Sequence, residues 1–281
     1  MPLPCNERLT FKVFAKLNLY LAVVGKKGGY HLLETVFQSI DIYDRITIAV
    51  GGRKDELKCI GMPESEDNLA YRAALAFKEA FGISEGVRIE LEKGIPIGRG
   101  LGGGSADAGG ILLALGKFFS IPREKLLPIA SNLGADVPFF LYGGCAIGRG
   151  RGDVIEPLPF LPRFRILLII PPFPISTSLA YSHLKPPFPP SCLNDFVQAL
   201  EKNDIIEIRK IMRNDLEDAV FSIFPELGEV KRELSNNGFP TLMTGSGSAL
   251  FSLFEEEAPT FHKEGWRTVI VKPTPRAIEW G

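Results

Sequence analysis

No part of this chain is apolar for long. Its longest aliphatic run, Ile166 to Ile170, falls far short of the ~20 residues a helix needs to cross a bilayer. The start, Met1-Pro2-Leu3-Pro4-Cys5-Asn6-Glu7-Arg8, lacks the basic-then-apolar order of a secretory leader. Cysteine is scarce, with four residues at positions 5, 59, 145 and 192. No two have the close spacing of a zinc site, and so few make no disulfide framework. Reduced thiols in a cytoplasmic protein are the expectation. Charge of one sign is also missing. A net charge of −1 gives no field to draw in DNA or an anionic membrane, and no basic stripe carries interleaved aromatics. Any cation that meets a phosphate must therefore be local.

What is present is an ordinary globular composition, 45% hydrophobic and 23% charged, over 281 residues. That length favours two domains. Strand-like alternation opens the first half. Phe11, Val13, Ala15, Leu17, Leu19 and Leu21 share one parity, and Lys12, Lys16, Asn18 and Tyr20 share the other. On pattern alone, the second parity reads as a solvated face. A turn is expected at Gly25 to Gly29, with further strands at Ile46 to Val50 and Val87 to Leu91. Asp67 is placed as the N-cap of a helix carrying Leu69, Ala73, Phe77 and Phe81, which Gly82 stops. Further helices are expected from about Ser105 to Phe118 and Arg123 to Asn132, the latter containing Pro128.

Ten prolines lie between Pro157 and Pro190, a density that excludes continuous helix or central strand. The domain boundary is placed here, giving residues 1–160 and 161–281. The second half reads as a strand at 166–170, several helices, a helix at 226–236 and strands at 241–244 and 248–254. A short helix near 256–265 and a strand at 267–272 close it. Collapsed, the order is β-α-β-β-α-β, which is ferredoxin-like.

The strongest chemical signal is Ile95 to Gly110, IPIGRGLGGGSADAGG, in which five of the seven residues from 98 to 104 are glycine. Glycines let backbone N–H groups converge on an anion without Cβ obstruction. The helix that follows adds unpaired donors and a positive dipole end. Together they make a phosphate cradle, and Ser105 offers a hydroxyl to a phosphate or a metal. Gly98 to Gly103 also fits G-x-G-x-x-G, but no strand ending in an acidic residue follows ~20 residues on, so a dinucleotide fold is not supported. No Gly-Lys-Ser/Thr follows, so the loop is not a P-loop.

The pattern Pro-x-x-x-Gly-Leu-Gly-Gly-Gly-Ser, Pro96 to Ser105, resembles the second motif of the GHMP kinases. The resemblance implies that Pro96, Gly98, Gly100, Leu101, Gly102, Gly103, Gly104 and Ser105 wrap the phosphates of ATP, used with Mg²⁺. Ala106 stands where a second serine is common. Phe14 to Tyr20, FAKLNLY, is similar to the family's first motif. Leu133 to Phe140, LGADVPFF, resembles a further stretch of the same kinases. By itself Asp136, two residues before a proline, also fits a helix N-cap. The resemblance implies a catalytic pair, Asp136 as base and Lys16 as its electrostatic partner. The chemistry suits such a pair: a carboxylate accepts the proton of a weakly nucleophilic alcohol. A nearby ammonium favours the ionised carboxylate and steadies the transferring phosphoryl group.

Gly28-Gly29-Tyr30-His31 and Pro171 to Tyr181 are similar to segments of the GHMP branch whose acceptor alcohol carries a cytidine diphosphate group. That resemblance implies substrate contacts from Asn18, Tyr30, His31, Thr177, Tyr181 and Gly245, the last in the loop Met243 to Phe251, which closes over the reaction centre. It leaves Thr177 open as a helix cap and Tyr181 as a core residue. Arg149 and Arg151 read as a solvated Gly/Arg turn, with a phosphate contact as the alternative.

The implied architecture is α+β, a two-domain GHMP-kinase fold with a ribosomal protein S5 domain 2-like N-terminal domain and a ferredoxin-like C-terminal domain. The implied reaction phosphorylates the 2-hydroxyl of 4-diphosphocytidyl-2-C-methyl-D-erythritol, a step of non-mevalonate isoprenoid precursor synthesis. Mevalonate-type and homoserine-type kinases are the alternative. A non-catalytic nucleotide-binding protein on the same fold would be expected to lack Lys16 or Asp136. The partner implied is a small molecule, with no nucleic acid and no membrane, and the chain acts as a monomer or homodimer.

Overall fold

The computed structural model describes residues 7–63, 65–159 and 162–281. The opening residues with Cys5, and the boundary set at 160–161, lie outside them.

Two 21-residue strands, β1 (Glu7–Lys27) and β2 (Tyr30–Val50), form an antiparallel hairpin closed by the turn Gly28-Gly29. The turn expected over 25–29 is thus tighter, because pairing continues to Lys27 and Tyr30. Register shifts at Phe14/Ala15, Asn18/Tyr20 and Val23/Gly25 bend the hairpin, as bulges do. The lower half of β2 pairs with β4 (Val87–Glu92), which pairs parallel with β3 (Glu56–Ile60). The upper half pairs with β5 (Cys145–Gly150), and β5 with β6 (Val154–Leu158). Strand β11 (Ile278–Trp280) returns to the free edge of β1.

Helices α1 (Leu69–Phe81), α2 (Gly103–Phe118) and α3 (Arg123–Leu133) cover this sheet. Helix α2 is buried almost all round, as its GGSADAGGILLALGKF sequence requires. The cap of α1 is Asn68, whose side chain accepts from the Ala70 N–H, and not Asp67 as expected. Both residue types cap well, so sequence alone does not choose between neighbours. Helix α2 starts at Gly103, two residues earlier than expected.

The second sheet has the order β10-β7-β9-β8, from β7 (Arg165–Ile170), β8 (Thr241–Met243), β9 (Leu250–Phe254) and β10 (Arg267–Val271). All its pairings are antiparallel. Five helices lie between β7 and β8: α4 (Thr177–Ser182), α5 (Leu193–Lys202), α6 (Ile205–Ile211), α7 (Glu217–Phe221) and α8 (Pro225–Asn236). This is the ferredoxin-like strand order. The short helix expected over 256–265 does not form; that segment is bends and turns. Pro259 disfavours helix at Ala258, and Phe261 and Trp266 pack on the core instead. Strands β7 and β9 are buried on both faces. Ile166, Leu168, Ile170, Phe251 and Leu253 join the large core, while Leu167, Ile169, Leu250 and Phe254 join a smaller one. Two-residue periodicity thus places the sheet between two apolar layers. No helix among the described residues is long and apolar enough to cross a membrane.

Candidate active site

A cavity of about 1040 Å³ opens between the two sheets. Lys16 and Asn18 reach it from the even-numbered face of β1. The expectation of a solvated face fails here: Lys16 is only 3% exposed. Its ammonium donates to Asn18 Oδ1 at 2.5 Å and lies 3.2 Å from Asp136 Oδ2. Asp136 occupies the N-cap position of a short 3₁₀ helix, Val137–Leu141, but its side chain makes no cap hydrogen bond. The carboxylate turns to Lys16, and its side chain remains 35% exposed.

The amide of Asn18 is fixed by neighbours that the sequence did not flag. Its Nδ2 donates to Thr35 Oγ1 at 2.8 Å, and the Thr35 hydroxyl donates to the Tyr20 carbonyl at 2.6 Å. That orientation leaves Asn18 Oδ1 facing the ammonium. The shift in pairing at Asn18/Tyr20 frees the Asn18 N–H, which donates to Thr244 Oγ1 at 2.9 Å. Thr244 begins the β8–β9 loop. Asn214 fastens that loop by donating to the carbonyls of Met243 and Gly245 at 2.7 and 2.8 Å.

The loop 94–102 and the start of α2 form one wall. Helix α2 has Gly102 as N-cap, no side-chain cap and no acidic residue in its first turn. Its first N–H groups are therefore available to an anion. Pro96, Gly98, Gly100, Leu101, Gly102, Gly103, Gly104 and Ser105 all line the cavity. Ala106 is buried in the helix packing. The β8–β9 loop closes against this wall: the Ala249 N–H donates to the Arg99 carbonyl at 3.2 Å. A Cβ at Gly245 would come within 3.1 Å of both Lys16 Nζ and Asn18 Oδ1. A Cβ at Gly100, where φ is +74°, would sit 2.1 Å from the Thr244 carbonyl oxygen. Gly100→Ala should therefore lose about 1–2 kcal/mol from the backbone conformation alone, and the overlap adds to it. A thermal melt is expected to fall by at least about 2 °C, together with weaker nucleotide binding. An unshifted melt and unchanged binding would contradict this close approach.

The other residues expected to contact the acceptor, Tyr30, His31, Thr177 and Tyr181, line the same cavity. His31 and Tyr181 stack on each other, with centroids 5.3 Å apart and planes at 26°. Tyr30 is 60% exposed, and the Arg151 guanidinium sits 5.4 Å over its ring. Arg149 is an exposed partner of Glu156, whereas Arg151 lines the cavity and bonds Asp153 and the Ser131 carbonyl. Thr177 does not cap α4; Ser176 does, and the Thr177 hydroxyl shares a 3.1 Å hydrogen bond with Ser246. Burial, and then the Asp136 charge, push the Tyr181 hydroxyl upward in pKa. Burial, and then Lys26, push His31 below its ordinary 6.5.

A buried charged cluster under the loop also escaped the sequence reading. Lys93 bridges Asp44 and Asp107, the latter at 2.7 Å. Burial would lower the Lys93 pKa, but Asp107 and Asp44 outweigh it and raise it. Burial raises Asp107 well above the usual carboxylate range, against the pull of Lys93. No single motif announces the cluster, since its members come from three separate elements.

Comparison with known proteins agrees with this geometry. The N-terminal domain of GHMP kinases matches residues 68–144, and the GHMP kinases C-terminal domain matches residues 196–268. A protein of Pelotomaculum thermopropionicum called 4-diphosphocytidyl-2-C-methyl-D-erythritol kinase is 40% identical over 248 residues, 85% of this chain and 86% of that protein. Its namesake from Chlorobium phaeobacteroides is 38% identical over 280 residues, covering 95% and 98%. A crystal structure of 4-(cytidine 5'-diphospho)-2C-methyl-D-erythritol kinase superposes with a TM-score of 0.74 at 35% identity, covering 94% of this chain and 99% of that one. The fold extends further: homoserine kinase from Cytophaga hutchinsonii gives 0.73 at 21% identity, covering 96% and 97%. Cradle, paired Lys16 and Asp136, and relatives of matching length lead to one conclusion: the chain belongs to the GHMP kinases, in the family of the 4-diphosphocytidyl-2-C-methyl-D-erythritol kinases.

Proposed function

We propose that this chain transfers the γ-phosphoryl group of ATP to the 2-hydroxyl of 4-diphosphocytidyl-2-C-methyl-D-erythritol, as a cytoplasmic step of isoprenoid precursor synthesis. One observation carries the mechanism: Lys16 Nζ lies 3.2 Å from Asp136 Oδ2, beside the opening of α2. The ATP phosphates lie along the loop and the free N–H groups of the α2 start. The acceptor hydroxyl sits against Asp136, which takes its proton as the new P–O bond forms. Lys16 faces the charge that gathers on the transferring group. Positioning supplies much of the rest, because the reaction becomes effectively unimolecular once both substrates are held.

Among the described residues no group of three or more His, Cys, Asp or Glu is arranged to hold a metal ion. Mg²⁺ keeps several waters and is held largely through substrate phosphates. Ser105 and Asp136 are among the oxygen donors facing the cavity. When bound, Mg²⁺ neutralises phosphate charge in the transition state.

The cytidine end lies among Tyr30, His31 and Tyr181, where ring faces and a histidine edge suit a base. The test is a panel of alcohols assayed with ATP. Preference for the cytidine diphosphate alcohol over mevalonate and homoserine is expected; preference for an alcohol without cytidine would refute the reading. His31 adds a pH dependence. Its pKa in the folded chain lies below 6.5, so the ring is neutral at pH 7 and the acceptor contact is complete above that value. As pH falls below 6.5 and through the depressed pKa, the ring gains charge and the acceptor KM should rise. A His31→Asn variant should show no such rise over the same range.

A further inference from the structure

The glycine-rich wall has few means of holding its own shape. From Gly94 to Gly102 it is neither helix nor strand, and Gly98, Gly100 and Gly102 all have positive φ. Its middle is tied to the rest of the fold where the carbonyls of Gly98, Arg99 and Leu101 accept from the N–H groups of Ile175, Ala249 and Lys16, and its two ends are held separately. Both ends meet the buried cluster. Asp44, on β2, accepts through Oδ1 from the N–H groups of Gly94 and Ile95 at 2.6 and 2.7 Å, fixing the entry. Its Oδ2 accepts from Lys93. The same ammonium donates to Asp107 Oδ2, in the second turn of α2, fixing the exit. A Cβ at Gly103 would lie 3.4 Å from Lys93 Nζ, so the bridge runs directly beneath the first residue of the helix.

Stability alone explains this cluster poorly. Replacing buried ion pairs by apolar residues of similar volume is often neutral or stabilising. Here one atom, Asp107 Oδ1, is buried with no hydrogen-bond partner among the described residues, and a partly satisfied buried network is unfavourable. What the arrangement does supply is placement. Residues from β2, from the end of β4 and from α2 meet at a single point, and the donors that would face a phosphate lie on the chain between the two anchored ends.

We propose that Lys93 is a positioning residue for ATP: bridging Asp44 and Asp107, it clamps the two ends of the phosphate loop and sets the spacing of its N–H groups. This rests on the assignment of the loop to ATP. Lys93 acts through the backbone and does not contact the reacting atoms, so its loss should weaken nucleotide binding and leave acceptor binding intact.

The test uses the full-length chain in three forms besides wild type. The triple variant Asp44→Asn, Lys93→Met, Asp107→Leu removes every charge yet keeps an acceptor for Gly94 and Ile95. Asp107→Asn is nearly isosteric, and Lys93→Arg keeps a cation that can reach both partners. Binding of a non-hydrolysable ATP analogue is measured by calorimetry without acceptor, alongside both KM values, kcat at saturating ATP and a thermal melt. The triple variant should melt within a few degrees of wild type. Its ATP KM and analogue Kd should rise at least tenfold, with acceptor KM and kcat within about twofold. Asp107→Asn should raise the analogue Kd three- to tenfold, and Lys93→Arg should stay within threefold of wild type. If the triple variant does not fold, Asp107→Asn decides. Analogue Kd within twofold of wild type in the folded variants, or acceptor KM rising in parallel, would overturn the clamp alone. Failure of wild type to bind the analogue would overturn both the clamp and the ATP assignment.

Discussion

Asp136→Asn should slow turnover by about 10²–10⁴-fold, the range a positioned general base contributes, while ATP affinity stays within about twofold. The substitution keeps the shape of the side chain and removes its capacity to take a proton. ATP affinity is spared because the cradle is made of backbone donors on the loop 94–102 and the α2 start. Asp136 pairs with Lys16, whose aliphatic stem lies against Gly102 of that wall. The sign of the effect on the acceptor is also fixed: Asn can still bond a hydroxyl, so acceptor KM should move far less than kcat. A variant turning over within threefold of wild type would remove Asp136 from the chemistry and leave it a turn residue before Pro138.

Lys16→Met should lower kcat by about 10²–10³-fold, comparable to losing one preorganised donor at a developing charge. Methionine fills much of the same volume, so the aliphatic stem should still pack near Phe37 and Phe140, which lie beside it. What is lost is a cation 3.2 Å from Asp136 and 2.5 Å from Asn18 Oδ1. Combining it with Asp136→Asn separates two possibilities. If the two groups act as one unit, the double variant should be little worse than the slower single one. If the losses simply multiply, Lys16 acts on the phosphoryl group independently of Asp136. Single-turnover measurement of the chemical step distinguishes these outcomes from a change in product release.

The glycine loop was legible in the sequence because its chemistry is local. An anion cradle made of backbone donors needs neighbouring residues without side chains, followed at once by a helix start. One contiguous string, Ile95 to Ser105, states that requirement. The strands flanking the β8–β9 loop were legible for a similar reason: short apolar runs on either side of a glycine-serine turn are short-range signals. Asn68 caps α1 in place of Asp67 because two adjacent residues offered the same chemistry, and only the backbone path chose between them. The segment 256–265 looked helical, but Pro259 and the burial of Phe261 and Trp266 outweighed its run of glutamates. Lys93 sat in a charged stretch, Glu92-Lys93-Gly94, that gave no hint of burial.

By itself, then, the sequence determined that a glycine-rich string at 98–105 opens a helix, that a ferredoxin-like strand order follows the proline-rich stretch, and that Lys16 stands on the first strand. It did so because each of these rests on periodicity or on a contiguous motif. Only the tertiary structure decided that both faces of β1 are buried. The closing of the β8–β9 loop over Lys16, fastened by Thr244 and Asn214, turned an apparently solvated parity into the floor of the cavity. The same packing set Lys16 against Asp136 across 120 residues of chain and joined Asp44, Lys93 and Asp107 from three elements. Electrostatic partnership falls off with distance in space and is indifferent to distance along the chain, so such pairings appear only once the elements have packed.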